Sequence, residues 1–108
     1  MEIELINGKK VELSMNPIVT EYLSDYDGGI EQMSEDISGS RNLMSVANHI
    51  AYSVISANIN EKLSFNELMR LLKLEDVEKI LDFVIENTSN FSDKTNQTNK
   101  SISTIKKY

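Results

Sequence analysis

A small, mainly helical bundle with an N-terminal β-hairpin and a disordered C-terminal tail is what the residues predict, on three observations. Residues 2–13 alternate apolar and polar around an Asn-Gly pair, whereas apolar residues from Ile18 to Ile85 recur at helical spacing. No charge occurs from Asn42 to Asn60, in a chain that is 26% charged. After Asn87 the composition turns to Asn, Ser, Thr and Lys. The 108 residues allow one domain, and we place it at 1–87, with 88–108 as a polar, weakly basic tail.

In the hairpin, Ile3 and Leu5 share one face with Val11 and Leu13, and Glu2, Glu4, Lys10 and Glu12 take the other. A two-residue Asn7-Gly8 loop would pair Glu4 with Val11 and mix the faces. A three-residue loop, Ile6-Asn7-Gly8 with Gly8 left-handed, pairs Ile3 with Val11 and Glu4 with Lys10 and keeps the apolar face whole. A lone hairpin is marginal in water, so this face must lie on helices.

Asn16-Pro17 reads as an N-cap followed by proline at the first helical position. The first helix is expected to reach about Tyr26, with Ile18, Val19, Tyr22, Leu23 and Tyr26 inward, and to end at Asp27-Gly28-Gly29. A second segment, Ile30 to Ile37, sets Ile30, Met33 and Ile37 on one stripe and leaves Glu31, Glu35 and Asp36 outside. The central helix is expected to open at Ser40 or Arg41 and run to about Ile59. Its apolar residues cover about half the wheel, so it should pack on more than one neighbour. Ser45, Asn48, His49, Tyr52, Ser53 and Ser56 form the other face.

Ser64-Phe65-Asn66-Glu67 is a capping box, opening a helix with Phe65, Leu68, Met69 and Leu72 inward. The last helix starts near Glu75, with Val77, Ile80, Leu81 and Val84 inward. Glu75 and Asp76 suit its positive end, and Glu75 is placed to pair with Lys79. The segment 88–108 has too few large apolar residues (Phe91, Ile102, Ile105, Tyr108) to offset its ordering entropy, so it is expected to stay disordered unless bound.

Charge narrows the function. Residues 1–87 hold 16 acidic and 7 basic residues, net −9, and 88–108 hold net +3. An acidic body is a poor match for a phosphate backbone, so no nucleic-acid partner is expected. With no cysteine there is no disulfide frame or thiolate metal site. The first residues show no signal-peptide pattern, and the uncharged stretch is too polar for a membrane span. One histidine, His49, without cysteine makes a transition-metal site a poor reading, and no nucleophile elbow accompanies Ser53 four residues on. The pairs Glu35-Asp36 and Glu75-Asp76 point about 100° apart on a helix, so they read as solvated faces rather than acid–base dyads. Asp25, Asp27 and Gly28 do not continue with calcium-loop spacing, and Asn7-Gly8-Lys9-Lys10 lacks the glycines of a phosphate loop. No catalytic residue, cofactor or metal is therefore assigned. Met15, Met33, Met44 and Met69 read as core fillers or, alternatively, as parts of an adaptable groove. Tyr22, Tyr26 and Tyr52 are candidate contact anchors, although Tyr22 and Tyr26 lie on the inward stripe and read as core.

The order of parts carries more than any single motif. Ile6-Asn7-Gly8-Lys9-Lys10 is followed by Asn16-Pro17, a helix containing Tyr22, and Asp25-Tyr26-Asp27-Gly28-Gly29-Ile30. Then come Ala47-Asn48-His49-Ile50-Ala51-Tyr52-Ser53-Val54-Ile55-Ser56-Ala57-Asn58, Glu67-Leu68-Met69-Arg70-Leu71 and Leu74-Glu75-Asp76-Val77. Over residues 1–87 this pattern resembles the tail assembly chaperones of long-tailed phages and prophages of low-GC Gram-positive bacteria. The resemblance implies a non-enzymatic protein of the host-cell cytoplasm, absent from the mature virion. It would coat the long, helical tape-measure protein until tail-tube subunits displace it, and would self-associate weakly. Many members are made in two forms through a ribosomal frameshift. The family has no catalytic residues to carry over.

A holdase needs an adaptable apolar surface and an acidic, soluble exterior. The uncharged face of the central helix around Asn48, His49 and Tyr52 is the candidate partner surface, because it costs little to desolvate. The competing reading packs that face under the hairpin. Two other functions stay open: a small phage-encoded regulator or inhibitor of a host protein, and a DNA-binding regulator built on residues 64–87. Glu67, Glu75, Asp76, Glu78 and Asp82 argue against the latter.

Overall fold

In a computed structural model, which describes residues 1–87, the chain opens with two antiparallel strands, β1 (Glu2–Glu4) and β2 (Lys10–Glu12). Ile3 pairs with Val11 and Glu4 with Lys10, the register that keeps the apolar face whole. Gly8 takes φ +87° in the loop, which only glycine adopts at no steric cost, and its N–H donates to the Leu5 carbonyl at 2.9 Å. Ile3, Leu5, Val11 and Leu13 are all buried in one core with the helices.

Five helices follow among the described residues: α1 (Pro17–Leu23), α2 (Gly29–Ser38), α3 (Leu43–Ser56), α4 (Phe65–Met69) and α5 (Leu74–Asn87). The mainly helical fold with an N-terminal hairpin is thus observed, while the tail at 88–108 lies outside the described residues. The central helix α3 packs on α5, α1, α2 and α4, with Val46, Ile50, Ala51, Val54 and Ile55 fully enclosed.

The caps explain the boundaries. Asn16 Oδ1 accepts the Val19 N–H at 3.1 Å, with Pro17 in the first turn of α1. Ser64 and Glu67 form the reciprocal capping box of α4. Three ends differ from expectation. The first helix stops at Leu23 instead of Tyr26, where the Asp25 and Tyr26 N–H groups turn to the carbonyls three residues back, Tyr22 and Leu23, both at 3.1 Å. The third starts at Leu43, because Ser40 and Asn42 take left-handed φ of 55° and 46°. It stops at Ser56 instead of about Ile59, where Asn58 Nδ2 bonds back to the Val54 carbonyl at 2.8 Å.

Burial corrects several expectations. Ile18, Tyr22 and Phe65 are exposed, not core, at 45%, 37% and 41%. Val19 and Leu23 alone satisfy the inward face of α1, since a seven-residue helix shows the core only two turns. Met44 is exposed as well, while Met33 is buried. Asp36 and Asp76, expected in solvent, are both buried. Tyr26 Oη donates to Asp36 Oδ2 at 2.6 Å and Gln32 Nε2 to Asp36 Oδ1 at 2.9 Å, so this carboxylate is satisfied inside the fold. Asp76 sits in the first turn of α5, where the helix dipole favours it, and Lys79 Nζ lies 3.9 Å from its Oδ1; the expected Glu75 pairing with Lys79 gives way to this one.

Polar fastenings hold the hairpin to the helices. Asn58 Oδ1 accepts from Ser14 N–H and Ser14 Oγ, and its Nδ2 donates to the Ser14 and Val54 carbonyls. Asn16 Nδ2 reaches the Ala57 carbonyl at 3.1 Å. Near the hairpin turn, Ile6 N–H donates to the Leu71 carbonyl at 2.8 Å, and Lys9 pairs with Glu61.

Candidate functional site

An open cleft of about 670 Å³ lies beside the central helix. Its floor is one face of α3, carrying His49, Tyr52, Ser53 and Ser56. Its walls are α1 with its following turn, through Tyr22 and Asp25, and the segment from Ile59 to Phe65 that leads into α4. A void of this size falls in the range of ligand pockets. Tyr22 and Phe65 stand at opposite walls as large, part-exposed rings.

Two ring contacts set its shape. The Tyr52 and Phe65 rings meet edge-on at 5.5 Å and 61°, and Tyr52 Oη donates to the Leu63 carbonyl at 3.2 Å. Tyr26 meets His49 edge-on at 5.4 Å and 70°. Tyr26 is in turn tied to Asp36, so one chain of contacts runs from the His49 ring through Tyr26 to the buried carboxylate of α2.

The electrostatics follow from these contacts. The Asp36 carboxyl is held below its ordinary value by the hydrogen bonds from Tyr26 and Gln32. The same bond, together with burial, pushes the Tyr26 phenol up to about 12. Burial lowers the His49 imidazole below its usual value of 6.5, against the opposing pull of the Tyr22 carbonyl and the Asp25 carboxylate. His49 Nε2 is buried without a hydrogen-bond partner.

Of the three residues chosen from sequence, His49 and Tyr52 come together in the cleft lining, while Asn48 is not part of it. The uncharged face of α3 packs in part on Tyr26 and Phe65 and in part lines the cleft. Ser53 Oγ donates to the His49 backbone carbonyl at 2.9 Å, so it is a helix back-bond and not a partner of the imidazole. Among the described residues, no group of three or more His, Asp or Glu is placed to hold a metal ion.

Sequence reasoning missed Phe65 and Asp25 as lining residues, and preferred a core role for Tyr22 over that of a contact anchor. A signal for Phe65 existed: it is the first residue after the capping serine, at a helix end where side chains leave the core. For Tyr22 the aromatic side chain suggested a contact, but its spacing from Ile18 and Tyr26 fits an inward stripe. No helix among the described residues is long and apolar enough to cross a membrane. No known family model, curated protein or solved structure matches this chain.

Proposed function

We propose that this chain is a phage tail assembly chaperone, which binds the tape-measure protein in the host cytoplasm and keeps it soluble until tail-tube subunits assemble around it. The reading starts from the resemblance of residues 1–87 to that family. The observation that carries it is the cleft: aromatic walls at Tyr22 and Phe65, an uncharged floor at His49 and Tyr52, and an acidic body around them. Such a surface takes apolar side chains from a partner at low desolvation cost, and its open shape suits many related segments rather than one. Many copies along one long partner then give avidity without tight single contacts. The role needs no catalysis, and no cofactor is assigned.

Co-expression with the tape-measure protein that the proposal places in the same genome tests it, scored by soluble yield and co-purification. The expected result is rescue of an otherwise insoluble partner with several copies of this chain bound to each. Loss of rescue on Tyr52→Ala and His49→Ala, with melting unchanged, would place binding at the cleft floor. A well-folded chain that neither rescues nor co-purifies overturns the proposal; a stoichiometric complex with a host protein would then make it a phage-encoded inhibitor.

A further inference from the structure

The charge of this chain is distributed unevenly around the cleft. Between Glu12 and Arg41 there is no lysine or arginine. Over the same stretch, α1, its turn and α2 carry Glu21, Asp25, Asp27, Glu31, Glu35 and Asp36. All but Asp36 are exposed. The wall made by α1 and its turn therefore carries acidic charge alone, with Asp25 in the lining and Glu21 and Asp27 exposed on the same elements beyond it. The floor is uncharged, and on the far wall Glu61 is neutralised by Lys9 while Lys62 stands beside it. On α1 itself, Ile18 and Tyr22 are one turn apart and exposed, with Glu21 and Asp25 three residues beyond each. An apolar stripe edged by acids thus leads into the aromatic cleft.

We propose that the cleft docks a basic amphipathic helix: apolar side chains enter between Tyr22 and Phe65, and lysines or arginines at the helix edge face Glu21, Asp25 and Asp27. The inference rests on the reading of the cleft as a binding surface and names the chemistry of the segment it takes. The void holds a few large side chains and not a whole helix, whose diameter with side chains is about 10–12 Å, so the partner lies across the opening with one stripe inserted. A second copy of this body, at net −9, would set like charge against like, and a nucleic acid would do the same. Apolar contact supplies affinity; the acidic wall selects the partner and its orientation.

Two synthetic helical peptides with one leucine stripe, edged by lysine in one and glutamate in the other, test this against the full chain. The lysine peptide is expected to bind about tenfold or more tightly than the glutamate peptide, as two or three exposed ion pairs replace repulsions. The margin should shrink as salt rises. Tyr22→Ser and Phe65→Ser should each weaken the lysine peptide, while Leu74→Ser, exposed but outside the cleft, should not. Amide shifts at Tyr22, His49 and Tyr52 in the unmutated chain give a second readout that needs no variant to fold. Equal affinity for the two peptides overturns the inference, as does lysine-peptide binding indifferent to Tyr22→Ser and Phe65→Ser, or shifts away from the cleft. Rescue of the tape-measure protein without peptide preference sinks this inference alone; peptide selection without rescue sinks the chaperone reading alone.

Discussion

Leu23 and Tyr22 are neighbours on α1 with opposite fates, and substituting each by alanine separates core from cleft wall. Leu23 is 1% exposed and Tyr22 37%. Leu23→Ala removes a fully buried side chain and leaves a cavity, at a cost of about 2–5 kcal/mol. The 87 described residues imply a total stability of about 4–13 kcal/mol, so the loss is a large share of the whole. At about 4–8 °C per kcal/mol, a loss of about 3 kcal/mol lowers the melting temperature by about 12–24 °C. Tyr22→Ala opens no cavity, since water already reaches the ring, and alanine's better helix propensity offsets about half a kcal/mol. Its net cost is expected to be about 1 kcal/mol. Urea titrations of both variants, followed by circular dichroism, give the two values with a common slope. Equal losses would refute the reasoning, because Tyr22 would then be core, as its helical spacing suggests, and the cleft would lose a wall.

Four further outcomes follow from the same geometry. Ser64→Ala removes one half of the capping box and should cost about 1 kcal/mol, measured by urea unfolding; no loss would mean that α4 is held by Leu68 alone. Gly28→Ala should destabilise more than Gly8→Ala: both have positive φ, but an added Cβ at Gly28 would come within 2.6 Å of Gln32 Cβ, whereas at Gly8 it meets nothing within 4 Å. The His49 imidazole, the one histidine in the chain, should titrate below 6.5 by NMR; since its folded value is lowered, its contribution is complete above 6.5 and is lost as pH falls below that, and a midpoint at or above 6.5 would contradict its burial. Asp36 is likewise lowered, so its stabilisation is present above its ordinary value of 3.8 and lost as pH falls through the lower folded value. Tyr26→Phe removes the first cause of that shift and should flatten the acid limb of the stability–pH curve, an effect absent in an Asp36→Asn background.

Local rules made much of the fold legible. The hairpin register followed from parity, because a one-residue slip would have turned Ile3 and Val11 to opposite faces. The capping box at Ser64 is a reciprocal pair of bonds and the N-cap at Asn16 a single one from the Val19 N–H, each within three residues and so readable without tertiary context. Illegible features depend on the third dimension. Asp36 looks solvated in sequence, and only the α1–α2 turn brings Tyr26 Oη to its carboxylate. Ile18, Tyr22 and Phe65 fit inward stripes, yet α1 and α4 are too short to bury every residue their spacing offers. Of the site, His49 and Tyr52 were chosen for lack of charge along one helix. Their partners on α1 and in the 59–65 segment are joined to them only by folding, and no periodicity encodes that meeting.

The Asn58 fastening bears on the order in which the chain acquires its shape. Its partners Ser14 and Asn16 lie 44 and 42 residues earlier, and Ile6 waits for the carbonyl of Leu71. A chain that grows from its N-terminus therefore has the hairpin residues early and seats them late, since the Asn58 bonds wait for residue 58 and the last of these fastenings, at Leu71, for residue 71. Until then β1 and β2 present their edges and their apolar face to whatever is near. Pulse-labelled amide exchange during refolding would show the lag, with Val54 protected before Ile6; simultaneous protection would mean that the hairpin docks with the helices in one step. Production of this protein is thus most exposed to misassociation not while its last helix is being made but over the long interval before it.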